Sequence, residues 1–247
     1  MFNQDLFVIF EIIKDIVKLV FIITSLYIAL GYFVRKKQSV FSETLEKCRF
    51  TVLLGLILLV LAAKISEDVL WGESGPIDKA VLLFIHSLVP ASITPFFATI
   101  TFTGSSKFLF PVTSATTILF LLAKRRSEAL LLATSVISAA VVVFVIKILV
   151  ARARPALWDT EWYWGASFPS GHTLVVTAFA TAAYLCILKI RPNAQPITFI
   201  IVTLWIFLVG LSRLVLGVHW PTDVLVAVCI GAFLPLAISV VMNLHQR

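Results

Sequence analysis

Charge is scarce in this chain. Asp, Glu, Lys and Arg together make up 13% of its 247 residues, whereas hydrophobic residues make up 60%. A soluble domain carries about 25% charged residues, and a mean hydropathy of +1.03 leaves too little polar surface for one. Cysteine is scarce as well. Cys48, Cys186 and Cys229 are three in number, match no metal-ligand spacing and exclude a disulfide framework. A basic start and a small-residue cleavage site are both lacking around the first apolar stretch. Arg35-Lys36-Lys37 follow it instead, so it is not read as a cleavable signal peptide.

What the chain has in quantity is long apolar runs. A transmembrane helix takes about 20 mostly apolar residues. Runs at 13–34, 50–70, 107–123, 128–150, 171–190, 197–216 and 222–243 predict seven spans and an all-α, polytopic membrane helical bundle. The net charge of +7 then belongs to topology, not to nucleic acid. More than half of the 20 Lys and Arg fall in Arg35–Lys37 with Lys47 and Arg49, in Lys124-Arg125-Arg126, in Lys189 with Arg191, and in Arg247. Counting spans puts all four groups on one face, which positive residues mark as cytoplasmic. The acids Glu67, Asp68, Glu73, Asp78, Asp159 and Glu161 collect at the other face, as do Trp71, Trp158, Trp162, Trp164 and Trp220. Tryptophan favours the headgroup level. The loop 156–168 reads either as an aromatic anchoring belt or as a lid over a lipid headgroup.

Two segments are less regular. Glu11, Lys14, Asp15 and Lys18 load the start of the first run with charge. It reads as a helix end projecting above the bilayer, with Asp15 pairing with Lys18 and Glu11 with Lys14, or as an interfacial helix. Residues 71–106 are broken by Gly72, Gly75, Pro76, Pro90 and Pro95 and form the longest connection outside the spans. Within it, 77–88 has helical apolar spacing and reads as a helix on the outer leaflet. Thr103 to Ser106 read as a turn and N-cap opening the next span.

Three polar clusters interrupt the apolar C-terminal half, each at the end of a run. Lys147 stands seven residues before Arg154-Pro155, two helical turns away, so both project from one face if the helix reaches that far. Ser170, Gly171 and His172 open the fifth span. Ser170 suits a cap, Gly171 admits close backbone approach, and the helix N-terminus attracts an anion. Ser212-Arg213 close the sixth span, and His219 and Asp223 open the seventh. At i,i+4 the two share a face if the helix has begun. Alternatively His219 precedes it and Asp223 reaches back. Either way a carboxylate on one ring nitrogen makes the other a better nucleophile. His86 and His245 lie outside these clusters and get no role.

On this topology the clusters meet on one face, and their inventory suits holding and attacking a phosphate. Taken together, Lys147-x6-Arg154-Pro155, Pro169-Ser170-Gly171-His172 and Ser212-Arg213-x5-His219-x3-Asp223 resemble the three-part signature of the type 2 phosphatidic acid phosphatase superfamily, over roughly residues 75–243. The resemblance implies a six-helix core within 50–247, with residues 1–49 adding a helix and a basic loop. It implies that His219 attacks phosphorus, Asp223 orients it, and His172 protonates the leaving oxygen and then activates water. Lys147, Arg154, Arg213, Ser170 and the Gly171 N–H would hold the phosphoryl oxygens. No acidic cluster for Mg²⁺ lies beside the motifs, so no cofactor or metal is expected.

The expected activity is hydrolysis of a lipid phosphate or diphosphate in the outer leaflet of a bacterial inner membrane. Candidate substrates are phosphatidate, phosphatidylglycerophosphate and undecaprenyl diphosphate; the partners are the lipid and the bilayer, with no nucleic acid. Lipid-to-lipid phosphotransfer through the same site is the alternative, and a non-enzymatic anionic-lipid transporter the more distant one. The charges gather at one boundary, and no paired broken helices suggest a transporter repeat.

Overall fold

Inside a bilayer no water satisfies backbone N–H and C=O groups, so apolar runs of this length close their hydrogen bonds within helices. The computed structural model describes residues 2–37, 46–158 and 165–245, and among them no strand occurs. In chain order the helices are α1 (Phe2–Lys37), α2 (Arg49–Leu70), α3 (Gly75–Leu88), α4 (Thr94–Phe102), α5 (Ser106–Leu122), α6 (Arg126–Val150), α7 (Gly171–Ile190), α8 (Gln195–Val215) and α9 (Pro221–His245). Short 3₁₀ turns at Ala91–Ile93 and Pro192–Ala194 lead into α4 and α8. Asp159, Glu161, Trp162, Tyr163, Trp164 and Arg247, together with the Glu11 side chain, lie outside the described residues.

Six stretches among the described residues are long and apolar enough to cross a membrane: Arg49–Leu70, Ala91–Leu122, Arg126–Val150, Gly171–Ile190, Pro192–Val215 and Pro221–Leu244. The chain is a multi-pass membrane protein. The run at 13–34, expected as a span, is continuous helix within α1. Asp15 lies within electrostatic range of Lys64 on α2, which itself pairs with Asp68 at 2.6 Å and Glu67 at 3.6 Å.

One correction concerns 71–106. Only α3 stands apart as a separate helix; from Ala91 onward the chain joins α5 in one apolar stretch, bent at Gly104. This lengthens one crossing without adding another, so the basic turn at Lys124 to Arg126 stays at the end of the bundle remote from the polar clusters. The turn at Thr103 to Ser105 forms as expected, with Gly104 N–H on the Thr101 carbonyl at 3.0 Å. No side chain caps α5.

α7 is the central helix. Leu174, Val176, Ala178 and Ala182 are fully buried on it, and α6, α8 and α9 pack around it. Large apolar side chains such as Phe110, Phe144 and Leu149 face outward instead, as they do where lipid replaces water. Apolar contact therefore drives little helix association, and small residues that let backbones approach do more. Gly231 on α9 is such a point. A Cβ there would stand 2.6 Å from the Leu174 carbonyl oxygen and 2.7 Å from Thr177 Cβ. Gly231→Ala is expected to destabilise the bundle by about 3 kcal/mol, the upper range for overpacking; thermal unfolding in detergent checks this, and an unchanged midpoint would refute the tight α7–α9 contact.

Candidate active site

The C-terminal ends of α6 and α8 and the N-terminal ends of α7 and α9 lie together, and the three polar clusters sit on them. α6 stops at Val150, and Ala151 is left-handed at φ 47°. The two-turn helical reading of Lys147 and Arg154 therefore fails. Arg154 follows the helix on an irregular segment, where Pro155 disfavours helical geometry for the residue before it. It reaches the site nonetheless. Its Nε donates to the Gly165 carbonyl at 3.0 Å and its guanidinium to the Val218 carbonyl at 2.8 Å. Lys147 Nζ donates to the Ala166 carbonyl. Neighbouring carbonyls of the 165–170 loop thus hold two cations of one cluster.

His219 lies before α9, in the second of the two arrangements the sequence left open. Gly217, at φ +65°, turns the chain there, and a Cβ on it would meet the Trp158 indole at 2.7 Å. Val218 N–H closes the turn on the Arg213 carbonyl at 3.2 Å. The imidazole is 2% exposed. Its Nδ1 is 3.4 Å from Asp223 Oδ2 and 3.3 Å from Ser167 Oγ, while its Nε2 is 3.3 Å from an Arg154 nitrogen. A guanidinium only donates, so Nε2 must accept and Nδ1 carries the proton. Burial is the main influence on the ring, outweighing the pull of Asp223, and pushes its pKa down to about 3. At neutral pH it is an uncharged base whose free lone pair sits on Nε2.

Asp223 is fully buried and divides its two oxygens. Oδ1 takes Arg152 at 2.6 Å. Oδ2 takes the Ser167 hydroxyl, the Trp220 N–H at 2.9 Å and the His219 ring. Arg213, 1% exposed, donates to Thr101 Oγ1 at 2.5 Å. Ser170 occupies the N-cap of α7 but makes no capping bond; its hydroxyl pairs with Thr173 Oγ1 at 2.9 Å instead. Its N–H donates to the Asp223 carbonyl at 3.1 Å, tying α7 to α9. Gly171 faces α6, where a Cβ would lie 3.3 Å from Val143 Cγ1 and 3.9 Å from Lys147 Cε.

His172 has Lys147, Arg154, Arg213 and His219 within electrostatic range, so all three clusters converge. Gly104 makes room for it: a Cβ at 104 would stand 3.2 Å from His172 Cβ. Below His172 a cavity of about 600 Å³ runs between α5 and α6, lined by Phe110, Ile118, Val136, Ile137 and Val175 and reaching Gly171 at its polar end.

Several residues of this site were not singled out in the sequence. Ser167 and Thr101 carry no signal beyond their type. Arg152 belongs to no motif in the sequence, and Asp78 reads there only as an outer-face acid on a surface helix. Asp78 is in fact fully buried, as is Leu82 on the same face of α3, while Ile77, Phe84 and Leu88 are exposed. The i,i+4 spacing of Ser74, Asp78 and Leu82 was the available signal.

Known proteins share similarity with the part of the chain that carries these clusters. Residues 128–247 match the PAP2 superfamily. The chain is 28% identical over 186 residues to phosphatidylglycerophosphatase B of Bacillus subtilis, covering 74% of this chain and 90% of that protein. It is 29% identical over 117 residues to the lipid A 1-phosphatase of Rhizobium johnstonii, covering 43% of this chain and 45% of that one. Among solved structures, the transmembrane PAP2-type phosphatidylglycerolphosphate phosphatase from Bacillus subtilis superposes with a TM-score of 0.66 at 26% identity, covering 76% of this chain and 94% of that chain. Residues 128–247, which hold all three polar clusters, thus match the PAP2 superfamily, and the proteins this chain resembles are phosphatases, one of them a transmembrane PAP2-type enzyme.

Proposed function

We propose that the chain hydrolyses a lipid phosphate through a phosphohistidine on His219. The observation that carries the reading is the division of the His219 ring, with Nδ1 turned to Asp223 and Ser167 and Nε2 turned to Arg154. A phosphoryl group entering beside Arg154 takes over its guanidinium and meets the Nε2 lone pair. Nε2 then bonds to phosphorus as the ester P–O bond breaks, and His172 protonates the departing oxygen. In the second half His172 takes a proton from water, the hydroxide attacks phosphorus, and the P–N bond breaks to release phosphate. Lys147, Arg154, Arg213, Ser170 and the Gly171 N–H stabilise charge on the phosphoryl oxygens, the main contribution a protein makes to this chemistry.

The apolar cavity below His172 favours a lipid tail over a soluble sugar phosphate. Phosphatidate, phosphatidylglycerophosphate and undecaprenyl diphosphate remain the substrate candidates; the relatives are named for phosphatidylglycerophosphate, lipid A and a decaprenylphosphoryl sugar phosphate, which keeps both acylated and polyprenyl tails in the panel. The site lies at the end of the bundle opposite Lys124 to Arg126 and Lys189 with Arg191, which supports an outward-facing site in a bacterial inner membrane.

The test is release of labelled phosphate from a panel of these lipids by the purified chain in mixed micelles. Release from at least one is expected, with the rate kept in excess EDTA. Movement of lipid between leaflets without release would sink the reading, transfer of the label to a second lipid would replace hydrolysis by phosphotransfer, and full loss in EDTA would show that a metal is required.

A further inference from the structure

Asp78 stands far from the signature clusters in sequence, yet its carboxylate is buried against them. Its Oδ2 accepts from Arg152 at 2.7 Å and from the Thr222 hydroxyl at 2.7 Å, and its Oδ1 accepts the Thr222 N–H at 3.0 Å. The last contact matters because Thr222 is in the first turn of α9, where N–H groups have no partner within the helix. α3 therefore supplies a capping carboxylate to another helix, one residue before Asp223.

Arg152 completes the link. One guanidinium nitrogen donates to Asp223 Oδ1 at 2.6 Å and to Thr222 Oγ1 at 2.8 Å; the other donates to Asp78 Oδ2 at 2.7 Å and to Ser74 Oγ at 3.3 Å. Its Cζ lies 5.6 Å from the centre of the Trp220 ring. Asp78 and Asp223 side chains are 1% and 0% exposed. With one carboxylate on each nitrogen, Arg152 cannot turn both onto Asp223. Oδ1 of Asp223 is thereby fixed, and Oδ2 stays available to Ser167 and His219.

We propose that Asp78, acting through Arg152 and the first turn of α9, is a positioning residue for Asp223 and hence for the His219 ring. This rests on the reading of His219 as nucleophile. Without Asp78, Arg152 is free to take both oxygens of Asp223 in a two-point pair, and the ring loses the partner that fixes its tautomer. Substrate binding, which uses Lys147, Arg154 and Arg213, is left intact.

The experiment compares Asp78→Asn, Arg152→Gln, the double variant and His219→Ala in the full chain, purified in detergent and assayed on the lipid phosphate released fastest by the parent. Asp78→Asn is expected to lower kcat about 10- to 100-fold, the scale on which removing a group behind a direct ligand acts, with KM kept within about threefold and slower phosphoenzyme formation. The double variant should be no slower than Arg152→Gln alone. Parental kcat in Asp78→Asn, a loss falling equally on KM, or fully additive losses would overturn the proposal. If Asp78→Asn does not fold, Asp78→Glu reads the same question through its kcat. Active His219→Ala would instead overturn the nucleophile reading, so the two failures are separable.

Discussion

His219→Ala is expected to abolish hydrolysis and, with it, any acid-labile phosphoenzyme. The loss should reach at least about 10⁴-fold, because removing a covalent nucleophile leaves only binding and charge stabilisation. Two neighbouring groups that could otherwise attack are already engaged. Asp223 is enclosed by Arg152, Ser167 and the Trp220 N–H, and Lys147 is committed to the Ala166 carbonyl. Rapid quench with labelled lipid phosphate checks this, since the parent should show label on protein within one turnover and the variant none. The parent also carries a pH signature. An ordinary histidine loses nucleophilicity as pH falls through about 6.5. His219 is held neutral by burial down to about 3, so phosphoenzyme formation should keep its rate between pH 7 and about 5. A fall centred near 6.5, or label persisting in His219→Ala, would assign the attack to another group.

The membrane bundle was legible in the sequence because bilayer physics is written in composition: apolar runs, basic loops and tryptophans at run ends. The clusters were legible because each occupies a run end, where a charge is costly unless something requires it. The failures have a common cause. Spacing arguments assume regular helix, and the site begins where the helices stop. Arg154 lies beyond the left-handed residue Ala151, so its position was not derivable from the separation from Lys147. Ser170 was read as a cap, but Thr173 offers its hydroxyl a partner. Asp78 and Arg152 escaped because their partners are 74 and 71 residues away. Asp78 also sits on a helix whose opposite face is apolar and exposed, and the position of each residue depends on how α3 docks.

His172→Ala should separate the two halves of the reaction. His172 occupies the start of α7, with Gly104 cleared beside it and the apolar cavity below, so the lipid oxygen leaving phosphorus is expected to depart past its ring. A lipid alkoxide is a poor leaving group and needs a proton; general acid–base groups contribute about 10²- to 10⁴-fold. On lipid phosphate the variant should lose activity on that scale, with little phosphoenzyme, because the first step stalls. A nitrophenyl phosphate ester needs no protonation to leave. With it the first step should recover while water attack remains unassisted, so labelled phosphohistidine accumulates as a burst followed by slow release. The measurement is burst amplitude per protein, expected near one for the variant on the aryl ester. Equal losses on both substrates with no accumulated label would remove His172 from proton transfer and leave it a binding role. On the proposed reading chemistry and binding separate, because the cations assigned to phosphate lie on α6, α8 and the segment after α6, while His172 opens α7 beside the apolar cavity.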